Sequence, residues 1–78
     1  MEKGKEALDF IISRKLNVVS NIDEMKEASN DCNMILLTFY AFGFIDTDEF
    51  EETAYRLQKS INDTTKNLII LKEQAGGR

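Results

Sequence analysis

The chain contains no proline, and of its four glycines only Gly43 falls in the interior, so almost nothing in it forces the backbone out of a helix. Helix-period stretches on either side of Gly43 therefore define the candidate fold. Apolar residues at Ala7, Leu8, Ile11 and Ile12 share one stripe, with Phe10 at its margin, and predict a first helix from about Glu2 to Lys15. Leu16 to Val19 loses that period and reads as an extended connection, with Val18 or Val19 packed under the next helix.

Ser20 or Asn21 can cap a second helix, because Asp23 and Glu24 stand three positions beyond them. From there Ile22, Met25, Ser29, Cys32, Leu36, Phe39 and Gly43 recur at steps of three and four, a heptad-like seam. Beyond Gly43 the segment Ile45-Asp46-Thr47-Asp48-Glu49-Phe50 carries a complete start signal. Asp46 caps, Glu49 reciprocates, and Ile45 and Phe50 occupy the two staple positions. Phe50, Ala54, Leu57, Ile61, Thr64, Leu68 and Leu71 then hold one register. Ser60 to Thr65 are poor helix formers, but the stripe keeps phase across them and favours one continuous third helix.

Short connections between three helices make antiparallel neighbours. The expected fold class is all-α: a three-helix bundle, or a long antiparallel helical hairpin with a short N-terminal helix packed on it. A rival arrangement pairs Asn17 to Val19 with Leu68 to Leu71 as a short β-ladder. Residues 1–75 are expected to form a single helical domain and 76–78, Gly-Gly-Arg, a flexible tail.

A chain of 78 residues builds a thin core, and natural chains of this size are commonly reinforced by disulfides, metals or a partner subunit. Cys32 is the single cysteine and reads as a small buried hydrophobe; there is no histidine, so the common zinc frameworks cannot be assembled. Association is the reinforcement left. Its sequence signal is the run from Met34 to Ile45, apolar on every side of a helix, which one neighbouring helix cannot cover. The aromatics Phe39, Tyr40, Phe42, Phe44, Phe50 and Tyr55 gather at the same end of the predicted bundle. Candidate interface residues are Leu36, Phe39, Tyr40, Phe42, Phe44 and Tyr55, with Tyr40 and Phe44 the ones most expected on the surface.

No chemistry-bearing constellation stands beside this apolar signal. Without histidine the usual general base is missing, no Gly-rich phosphate loop occurs, and Cys32 has Asp31 beside it instead of a base. Neither enzymatic activity nor a catalytic, cofactor or metal site is expected. The acidic set Asp46, Asp48, Glu49, Glu51 and Glu52 lacks the spacing of a calcium loop and is accounted for by the positive end of a helix dipole. Lys59, Asp63 and Lys66 read as a solvated, salt-bridged flank. The net charge of −4 disfavours nucleic acid as a partner.

The N-terminal segment is too charged for a signal peptide, and the longest apolar run is too short to span a bilayer, so a cytoplasmic protein without membrane contact is expected. The leading expectation is a non-enzymatic helical protein-interaction module that self-associates, forming a homodimer through the second helix and the apolar side of the third. The alternatives are an acidic inhibitor or antitoxin-type regulator of a basic protein, and a dimeric DNA-binding regulator.

Overall fold

A computed structural model describes residues 2–76, with side chains over residues 3–74. It contains three helices: α1 (Glu2–Asn17), α2 (Ile22–Ala41) and α3 (Thr47–Gly76). No strand occurs among the described residues, so the β-ladder between 17–19 and 68–71 is excluded. Residues 77 and 78 of the expected tail lie outside the described residues, while α3 itself runs on through Gly76.

Each helix begins and ends where local chemistry directs. Asn21 has an extended backbone, and its Oδ1 accepts from the Glu24 N–H at 2.8 Å, while Glu24 Oε1 accepts from the backbone N–H and the hydroxyl of Ser20. At the start of α3 the capping box closes both ways: Asp46 Oδ1 accepts from the Glu49 N–H at 2.8 Å, and Glu49 Oε1 from the Asp46 N–H at 2.9 Å. The staple residue Ile45 is buried and Phe50 packs half-buried against the core.

Between them, α2 ends in a Schellman motif. Gly43 adopts a left-handed φ of +79°, its N–H donates to the Tyr40 carbonyl at 3.1 Å, and the Phe44 N–H reaches back to the Phe39 carbonyl at 2.9 Å. The apolar contact that accompanies such motifs is the Phe39–Phe44 ring pair, 5.5 Å between centroids. Gly43 is thus present because an L side chain would strain this φ.

The core is Leu8, Ile12, Cys32, Leu36, Ile45 and Leu57, flanked by half-buried Leu16, Ile35, Phe39, Phe50, Ala54 and Ile61. In α1 the buried row is Leu8–Ile12–Leu16 at four-residue steps; Ala7 is exposed, and the helix extends past Lys15 because Leu16 still has core to pack against. Of the two connection valines, Val19 is half-buried and Val18 exposed. Of the expected α2 seam, Met25, Cys32 and Leu36 are buried and Ile22, Ser29 and Phe39 half-buried, with Ala28 added; Gly43 lies beyond the helix end and is exposed. The third helix is continuous through Ser60–Thr65, where Ile61 packs on the core and Gln58 Nε2 donates to Asn62 Oδ1 at 3.1 Å; tertiary packing overrides the weak local propensity.

Contacts at the ends fix the directions. Lys5 Nζ lies 3.0 Å from Glu52 Oε1, and Lys15 Nζ 3.4 Å from Asp31 Oδ2, so α1 runs parallel to α3 and antiparallel to α2. The first turn of α1 lies against the connection between α2 and α3, and a Cβ on Gly4 would collide with the Phe44 carbonyl. At the opposite end α2 begins beside Leu68 and Leu71. The result is a rod of 50 × 16 × 16 Å whose last α3 turns have no helix on their α1 side. Leu71 keeps the phase of the seam yet is exposed, because only the residues at the very start of α2 reach it.

Candidate interaction surface

From Cys32 through Ile45 the chain carries no charged residue. A helix buried on one side can place only part of such a run inside, and α2 divides it by angle. Cys32 and Leu36 point to the core, Ile35 and Phe39 to its edges, and the positions between them point outward. Phe42 is 74% exposed, Met34 65% and Leu37 53%, and Phe44 is exposed beside them. Tyr55, 72% exposed, adds an aromatic from α3.

These positions revise the expected interface set. Leu36 is only 3% exposed and belongs to the intramolecular core, because it faces Leu8, Ile45 and Leu57. Phe39 is half-buried against Phe44. Tyr40, Phe42, Phe44 and Tyr55 are exposed, although Tyr40 is partly engaged: its ring stacks on Phe50 at 4.6 Å and its hydroxyl is hydrogen-bonded to that of Thr47 at 2.9 Å. Met34, Leu37 and Phe10 were not among the expected residues. The first two lie across α2 from Cys32 and Leu36, so the helical angle measured from the seam identifies them; Phe10 carries the Arg14 guanidinium 5.7 Å from its ring centre.

The acidic residues divide into those occupied within the protomer and those free. Asp46 and Glu49 form the capping box. Glu52 bonds to both Lys5 and Arg56 at 3.0 Å, and these two cations hold its carboxyl below the usual carboxylate range. Asp48 and Glu51 form no ion pair or side-chain hydrogen bond among the described residues. Among those residues no group of three carboxylates or thiols converges on a metal-sized site.

The Lys59–Asp63–Lys66 flank likewise forms no ion pair there. A lysine four residues before an acid is the weaker orientation on a helix. Cys32 is fully enclosed, and burial pushes its thiol pKa up; Lys15 opposes this and Asp31 adds to it. That is the state of an inert side chain, not of a nucleophile. No helix among the described residues is long and apolar enough to cross a membrane.

Compared with protein-family models, curated proteins and solved structures, the chain finds no match.

Proposed function

We propose that this chain is a non-enzymatic protein-interaction module whose first partner is a second copy of itself. The reading is supported above all by one observation: an uncharged helical segment, residues 32–45, leaves Met34, Leu37, Phe42 and Phe44 in solvent after its core side has been filled. Large apolar side chains left in solvent on one short segment are the usual mark of an association site. The exposed Ile69, Ile70 and Leu71 form a separate apolar group at the opposite end of the rod. Sedimentation velocity from micromolar to submillimolar protein tests it. A species of twice the 8.9 kDa chain mass is expected, and a monomer across the whole range would remove the reading.

A second reading, an acidic inhibitor of a basic protein, is favoured by the free carboxylates Asp48 and Glu51 near the connection. A one-to-one complex with a basic partner that is lost on combining Asp48→Asn with Glu51→Gln would support it. Persistence of the complex in that variant would count against it.

A further inference from the structure

Resting on the proposed self-association, we infer that the second copy docks antiparallel on the α2–α3 face turned away from α1, with Tyr55 at the two-fold axis and Glu51 opposite the partner's Lys59.

The face is selected by what α1 leaves open. Asp9, Ile12 and Ser13 of α1 pack along Thr53, Arg56 and Ser60, so that side of α3 is occupied. On its other side, Ile61 and Thr65 meet Ser29 and Asn30 of α2 across an open groove of about 390 Å³. Leu37 on α2, with Glu51, Tyr55, Gln58 and Asn62 on α3, falls on this open side by helical spacing. α1 thus covers one face of the α2–α3 pair and leaves the other without a layer.

The direction is selected by charge. Glu51, Tyr55 and Lys59 form one row on α3 at four-residue steps, all three exposed, and neither Glu51 nor Lys59 has an ion-pair partner among the described residues. Opposite charges placed symmetrically about a central aromatic are self-complementary under one operation only. A two-fold axis through Tyr55, perpendicular to the helix, brings each Glu51 to the partner's Lys59, twice per dimer, and sets the two rings together. The same axis passes α2 at the level of Ile35 and Leu36, because Tyr40 sits beside Phe50 and Ile22 beside Leu68. Met34 then comes to the level of the partner's Leu37. A parallel dimer would instead place Glu51 against the uncharged stretch of the partner's α2 and bring the two acidic ends together. Charge decides between the two directions.

Charge reversal tests this. Glu51→Lys and Lys59→Glu, made singly, each turn two attractive contacts into two repulsive ones and should weaken self-association about tenfold. The double variant, E51K with K59E, should restore it to near the original value. Both positions are exposed, so circular dichroism should show unchanged helix in all three variants. If the unaltered chain dimerises and the reversals leave its affinity unchanged, or if the double variant fails to recover, this face and direction are wrong while self-association stands. If the unaltered chain remains monomeric at submillimolar concentration, the inference falls together with the reading beneath it.

Discussion

Gly4 shows how one position can reverse the usual sign of a substitution. Replacing glycine by alanine inside a helix ordinarily stabilises by about 1 kcal/mol. Here the added Cβ meets the backbone carbonyl of Phe44, a residue whose N–H is tied to the Phe39 carbonyl in the Schellman motif. Gly4→Ala should therefore destabilise, by about 1–3 kcal/mol, as the first turn of α1 is pushed off the connection. A denaturant titration that showed a stability gain would mean the helix is not docked this closely. Thr53 is the converse case. It is buried at the α1–α3 contact, and its Oγ1 finds no hydrogen-bond partner among the described residues. Thr53→Val keeps the shape and removes an unsatisfied hydroxyl, so urea melts should show stability raised by about 1 kcal/mol.

At the level of the helices, stability depends on side chains that join one element to the next. Glu52 on α3 ties to Lys5 on α1, and Glu24 accepts from Ser20 ahead of α2; each carboxyl is held below its ordinary range by these bonds. A folded-state pKa below the unfolded value contributes stability that is present above the unfolded pKa and lost as the pH falls through the folded one. Thermal midpoints should accordingly decline on acidification through and below the usual carboxylate range. Lys5→Met should flatten part of that decline; an unchanged pH profile in this variant would contradict the role given to the Lys5–Glu52 bridge.

The helices themselves were legible in the sequence because their signals are local. Asn21, Gly43 and the Asp46–Glu49 box each act within a few residues, and the α2 seam and most of the α3 stripe follow from periodicity alone. What was not legible depends on distances between elements. Leu71 keeps phase and still stays exposed because only the start of α2 reaches it. Gly4 looks like an unremarkable N-terminal residue until Phe44 is placed against it. Leu36 reads as surface only while the third helix is not yet packed on it.

The whole molecule is a rod with one side unfinished. Its core is a narrow line of buried side chains, and the outward half of the uncharged α2 segment stands in water. Association would turn that exposed half into a second line of packing. The most direct measurement uses methyl resonances of the methionines, observed with a soluble paramagnetic probe as protein concentration is varied. Met25 is buried in the protomer and should stay protected throughout. Met34, exposed in the protomer, should be shielded in concentrated solution and become accessible on dilution, whereas equal broadening of Met34 at every concentration would contradict the account.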